Sequence, residues 1–374
     1  MALFTPFALR SIRLRNRIVV SPMQMYSTPD ARPGAFHLVH LGRFALGGAG
    51  LVCVEATAIC PEGRSTVNDL GLWSEEQADA FRPIVDFLHA HGTAAAVQLQ
   101  HAGTKSACRS PWDGAGPLGP EDAGRGEERW QAWGPTRAGW SEKYPPSHAI
   151  DRADVEYLLD CYRRAVRMAR RAGFDAIEIH SAHGYLLHSF LSPLTNHRTD
   201  EFGGSIEGRM KFPLAVARAV RDEWPEDRAV VYRMSCVDGH SIGWSIRDSV
   251  TLARQLKAIG IDAVDCSSGG LSLPTAGDLV PRRPGFQVPF AKTIRDEAGI
   301  ATVAVGLILD ARQANTIIET GCADLVALAR ELLWNPNFPA QAAQALNADP
   351  RWDLWPRQFG WWLKRRARVT VPVS

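Results

Sequence analysis

Two imidazoles and a phenol stand within six residues in His180-Ser-Ala-His183-Gly-Tyr185. Histidines three positions apart can act as paired hydrogen-bond donors to one substrate oxygen. A phenol can hand a proton to a carbanion-like carbon. The same pair also suits a metal, with Glu178, His188 or His197 completing the ligand set, and a metal-dependent hydrolase is then the chemistry. A second group is polar residues near the ends of apolar runs: Gln98 in Ala-Ala-Ala-Val-Gln-Leu-Gln and Arg233 in Val-Val-Tyr-Arg-Met-Ser. Buried polar groups need partners. Gln98 offers a donor and an acceptor, as the amide–imide edge of a flat heterocycle requires. Arg233 places a permanent positive charge where a ligand develops negative charge.

The elements that must position these groups alternate. Strand-like runs cover 17–22, 50–57, 93–100, 174–180, 229–235, 262–268, 301–306 and 323–329. Helical patterns follow them near 36–47, 75–91, 152–172, 206–223, 246–259, 287–298, 310–320 and 337–346. Several runs are nearly all apolar, as strands buried on both faces are. Glycines such as Gly173 and Gly260 close the helices. Eight such units predict a single (β/α)8 TIM barrel over about 17–346, inside one domain of 1–374. The surplus is a long Trp-bearing loop after strand three, about 102–150, read as a packed cover, and a C-terminal tail at about 347–374 whose basic run is read as solvated.

In this fold chemistry sits where strands end. All the residues above fall there, and so do Gly306 after strand seven and Arg330 after strand eight. A glycine admits a close ligand and an arginine suits a phosphate monoester. A phosphate grip, an imide reader, a charge stabiliser and a proton donor on one barrel mouth together describe a flavin mononucleotide (FMN) site. Gly114-Ala-Gly-Pro-Leu-Gly119 matches G-x-G-x-x-G literally, but it follows no strand, opens no helix and holds a proline, so it is not a dinucleotide fingerprint.

Composition agrees with a globular enzyme. The 374 residues are 45% hydrophobic, with 42 Lys+Arg against 40 Asp+Glu. That excludes a disordered chain, and the absence of a basic excess argues against nucleic acid. No apolar stretch is long enough to predict a membrane span. Seven irregularly spaced cysteines, with no C-x-x-C and no secretory leader, predict a reducing, cytoplasmic setting.

The run from His180 to Asn196, His-Ser-Ala-His-Gly-Tyr-Leu-Leu-His-Ser-Phe-Leu-Ser-Pro-Leu-Thr-Asn, continued to Arg209, resembles the old yellow enzyme signature. Ser21-Pro-Met-Gln-Met-Tyr26 and Val97-Gln-Leu-Gln-His-Ala-Gly103 are similar to its other blocks, and the Ser-Pro-Met start looks most like the bacterial thermophilic-like, or xenobiotic reductase, branch. The resemblance covers nearly the whole chain to about residue 340. It implies a flavoprotein of NADPH dehydrogenase type, an ene reductase with non-covalent FMN that reduces small activated alkenes (unsaturated carbonyls, maleimides, nitroalkenes) with NADPH or NADH. Ser21, Pro22, Met23 and Gln24 would lie along the isoalloxazine, and Ala56 and Gln98 at its polar edge. Arg233 would stabilise the reduced anion, and Gly306, Ala329 and Arg330 would hold the phosphate. His180 and His183 would bind the substrate oxygen, Tyr185 would protonate it at the α-carbon, and Tyr26 would contact it from the opposite wall. A homodimer, or a homotetramer built from dimers, is implied. There Trp361, in Gln358-Phe-Gly-Trp361, would stand where the family's arginine reaches a neighbouring site. Gln24 also departs from the branch, which carries cysteine there, leaving open a flavin-binding protein of low turnover.

Overall fold

The computed structural model describes residues 1–28, 30–272 and 280–370; tail residues 371–374 lie outside it. Eight parallel strands close into a barrel: β1 (Ile18–Val20), β2 (Leu51–Ala58), β3 (Ala94–Gln100), β4 (Ala176–Ser181), β5 (Ala229–Ser235), β6 (Ala263–Ser267), β7 (Ala301–Ala304) and β8 (Leu325–Leu328). They pair in chain order, and β8 closes on β1 with Leu328 opposite Val20. The barrel expected from the alternation is the observed fold.

The helices are α1 (Ala35–Leu46), α2 (Glu75–Ala90), α3 (Arg152–Ala172), α4 (Leu186–Leu191), α5 (Ile206–Glu223), α6 (Ile246–Ile259), α7 (Val288–Ala298), α8 (Ala311–Glu319), α9 (Arg330–Trp334), α10 (Phe338–Ala345) and α11 (Arg357–Thr370). Ser74, Asp151, Ser205, Ser245 and Asp310 each accept a backbone N–H at a helix start, satisfying donors that have no partner within the helix. Gly173 and Gly260 close α3 and α6 in the left-handed conformation. Among the described residues no helix is long and apolar enough to cross a membrane.

Two apolar cores result. The larger lies between strands and helices, around Phe44, Phe81, Tyr162, Phe174, Phe212 and Leu256. The smaller lies inside the barrel, where Val19, Ala96, Ala176, Val231 and Ala263 meet Leu9 and Leu14. Those leucines belong to an N-terminal hairpin, Phe7–Leu9 with Ile12–Leu14, that plugs the barrel's lower end. Burying each is worth about 2 kcal/mol. The alternation of Phe7, Leu9, Ile12 and Leu14 signals this hairpin, but the expected elements begin only at residue 17. Short α4 and α9, and α11 in the tail, are likewise additions to the expected pattern.

Three of the cover's four tryptophans are packed and the fourth is not. Trp130 donates through Nε1 to Glu62 O at 3.0 Å, Trp133 lies against His148 and Tyr157, and Trp140 against Tyr144. Trp112 is 66% exposed, touching Tyr26 edge-on.

Candidate active site

The loops after β1, β4 and β7 each hold a non-glycine residue in the left-handed region: Tyr26 (φ 49°), His183 (φ 60°) and Leu307 (φ 50°). Such backbone costs energy and collects at functional sites. His183 is held by three bonds. Its N–H donates to Ser235 Oγ (3.0 Å), its carbonyl accepts from Lys105 Nζ (2.8 Å), and its Nε2 lies 2.6 Å from Ser267 Oγ.

His180, His183 and Tyr185 converge. Ring centroids are 5.2 Å apart for the two imidazoles and 4.8 Å for His180 and Tyr185. Burial, then the positive charge of Arg233, pushes both imidazoles well below their usual range, so both are neutral. His180 Nδ1 accepts from Ala182 N–H at 3.2 Å, which puts its hydrogen on Nε2. His183 Nε2 shares one hydrogen with Ser267 Oγ, and where the serine is the donor the ring's own hydrogen lies on Nδ1. His180 thus keeps one N–H to give, and His183 does so in the tautomer that accepts from Ser267. Burial pushes the Tyr185 phenol up to about 12, so it carries its proton at neutral pH.

The candidate metal ligands do not join this pair. Glu178 turns to Gln98, His188 Nε2 meets Asp238 Oδ1 at 2.8 Å, and His197 lines a separate small cavity. Among the described residues no three His, Cys, Asp or Glu side chains are grouped to hold a metal.

Arg233 is buried on β5. Its Nη1 donates to Ser21 Oγ (3.2 Å), and its Nε lies 3.4 Å from Asp265 Oδ2 without a hydrogen-bond acceptor. It lines a cavity of about 860 Å³ with His183, Gly306, Ala329 and Arg330. That volume is in the range of cofactor pockets. Arg330, exposed, makes no hydrogen bond or ion pair among the described residues. At Gly306 (φ 111°) the space a Cβ would take is filled by Gln287 Nε2, 2.8 Å away. The glycine therefore serves the turn and Gln287 as well as any ligand.

Ala56 and Gln98 sit at one register position on β2 and β3. Ser21 is buried behind Arg233, while Pro22, Met23 and Gln24 run on from β1 toward Tyr26. Tyr26 and Tyr185 line a second, open cleft under the cover, which shares Lys105 and Trp140 with the first cavity. Trp361 is not in this site. It lies 48% exposed on α11, its ring under Arg365.

Several site groups are absent from the expected set. Lys105, pushed down to about 8 by burial, lies 4.8 Å over both the Trp140 and Tyr185 rings. Asp69 holds Gln24, and Gln287 holds the β7 loop through Val305 O and Ser268. Lys105 is the one with a readable signal, a lone cation just beyond a strand end.

The pattern of the NADH:flavin oxidoreductase / NADH oxidase family matches residues 2–349. An NADPH dehydrogenase of Geobacillus sp. (strain WCH70) is 42% identical over 350 residues, covering 92% of this chain and 94% of that protein. One of Bacillus subtilis (strain 168) is 38% identical over 349 residues, covering 93% and 96%. Among solved structures, morphinone reductase superposes with a TM-score of 0.75 at 27% identity, covering 92% of this chain and 89% of that one.

Proposed function

From the premise that the chain belongs to the NADH:flavin oxidoreductase / NADH oxidase family, that of old yellow enzyme, we propose that it is an FMN-dependent ene reductase using NADPH or NADH. The observation that carries this reading is Arg233, a buried guanidinium that lines one cavity with Gly306, Ala329 and Arg330. A fixed positive charge on that wall suits the carbonyl edge of an isoalloxazine. Arg330, with no hydrogen-bond or ion-pair partner among the described residues, suits the phosphate. Ser21, Pro22, Met23, Gln24, Ala56 and Gln98 would line the ring system. When bound, FMN would supply the hydride chemistry, taking hydride from the nicotinamide and giving it to the β-carbon of an activated alkene.

The chain's own groups do the rest. Neutral His180 and His183 each donate one N–H to the carbonyl or nitro oxygen, drawing charge from the double bond as hydride arrives. Tyr185 gives its phenolic proton to the α-carbon, and solvent restores it. One hydride and one proton add across the bond, so the product is the saturated compound. Tyr26 packs from the opposite wall. Trp361, exposed on α11, would reach the site of a second copy in a homodimer or a tetramer of dimers. All seven cysteines are unpaired, in keeping with a cytoplasmic location.

The test is a flavin spectrum. Purified protein should be yellow and should bleach anaerobically with NADPH or NADH, then recover its colour on adding 2-cyclohexenone. A colourless protein that FMN cannot reconstitute would overturn the reading.

A further inference from the structure

Asp69, in the loop after β2, is buried, and the groups bonded to it are donors. Its Oδ2 accepts from Ser65 N–H at 2.6 Å and from Gln24 Nε2 at 3.0 Å, and its Oδ1 from Thr66 Oγ1 at 2.7 Å. A carboxylate can accept only the NH2 end of the Gln24 amide. The amide oxygen is therefore turned the other way. There it accepts from both phenols of the cleft, Tyr185 at 3.2 Å and Tyr26 at 3.4 Å.

We infer that Asp69 is a positioning residue which, through Gln24, sets where the phenolic hydrogens of Tyr26 and Tyr185 point. The inference deepens the reading of Tyr185 as proton donor and rests on it. With Asp69 ionised, the Tyr185 hydrogen is engaged by Gln24 rather than offered to the cleft. The nearby negative charge also opposes formation of a phenolate, and it is among the causes that raise the Tyr185 phenol. A proton on Asp69 reverses both effects. The carboxyl becomes a donor, the amide turns its oxygen toward it, and its N–H groups donate to the phenol oxygens, freeing their hydrogens. Proton transfer from Tyr185 is then faster with neutral Asp69.

The groups facing Asp69 come from five segments: Glu55 on β2, Arg64 in its own loop, Tyr26 after β1, Tyr185 after β4 and Cys108 in the cover. Burial, aided by Glu55 and opposed by the Thr66 and Ser65 bonds, pushes Asp69 up to about 6. The reversal therefore falls within an accessible pH range.

The direct test is infrared. The C–O band of ring-labelled tyrosine, assigned to Tyr185 by its loss in Tyr185→Phe, should shift on titration with a midpoint near that of Asp69. The shift should be absent in Asp69→Asn and in Gln24→Met. A flat band in the native protein, or a titration that persists in Gln24→Met, overturns the inference. A second arm reads single-turnover oxidation of the pre-reduced holoenzyme by 2-cyclohexenone. The native rate should rise at least about tenfold from about pH 8 to about pH 5, and both variants should flatten the profile. A titrating band without alkene reduction would leave the aiming device standing and reject the ene-reductase reading; turnover with a flat band would do the reverse.

Discussion

Gln98 Nε2 donates to Glu178 Oε1 across 2.7 Å, the two residues lying side by side at one register position of β3 and β4. This puts a carboxyl inside the barrel beneath the candidate flavin edge. Arg233 and Asp265 share the interior with it. Burial, then the negative charge of Asp265, pushes Glu178 up to about 8, against the pull of Arg233 and Gln98.

That displacement gives a pH dependence of stability. The folded state holds the Glu178 proton more tightly than the unfolded chain, in which an ordinary glutamate titrates near 4.3. Stability from this group is therefore full below that value and lost as pH rises through the folded value. Glu178→Gln should gain on the native protein in Tm between about pH 5 and about pH 8. Parallel melting curves for the two proteins across that range would remove the argument.

Tyr185→Phe removes the proposed proton together with the phenol's bond to Gln24. Re-oxidation of the reduced holoenzyme by 2-cyclohexenone should slow at least about a hundredfold, while reduction by NADPH changes little. Stopped-flow traces of the two half-reactions separate the cases. Equal slowing of both would assign Tyr185 to the architecture of the cleft.

Arg330→Ala tests the phosphate grip by comparing two ligands. Loss of a charge-assisted bond should weaken FMN binding by about tenfold or more. Riboflavin, lacking the phosphate, should bind both proteins alike. Fluorescence titration of apoprotein reads the difference, and an equal loss for both ligands would move the phosphate elsewhere.

Gly270 is where two strand-end loops touch. Its φ is 101°, and a Cβ there would stand 2.1 Å from His183 Cα. Gly270→Ala should destabilise the protein by roughly 1–3 kcal/mol and raise KM for alkenes by displacing His183. Urea unfolding together with steady-state kinetics would check both. Unchanged stability would show that the β6 loop yields freely.

Much of this was legible in the chain. The barrel follows from apolar runs and helix stops, which are local signals with fixed periods. The convergence of His180, His183 and Tyr185 is legible too, since one strand end and one turn carry all three. Arg233 and Gln98 stand out as polar residues near the ends of apolar strands. Gly306 and Arg330 fall at strand ends once the barrel is counted.

What tertiary structure decided is partnership. Asp69 lies in a loop of no periodicity, and only folding brings it to Gln24, 45 positions away. Glu178 shows in sequence as a spare metal ligand; the β3–β4 register turns it to Gln98 instead. Lys105 reaches Tyr185 because two loops and the cover meet over the barrel mouth. Trp361, expected at a neighbouring copy's site, stands outside the site of its own chain. Local patterns determine which elements form, because backbone hydrogen bonding and alternation of burial act over a few residues. Which charges share a cavity, and hence which protons are held, depends on how strands from distant parts of the chain are set side by side.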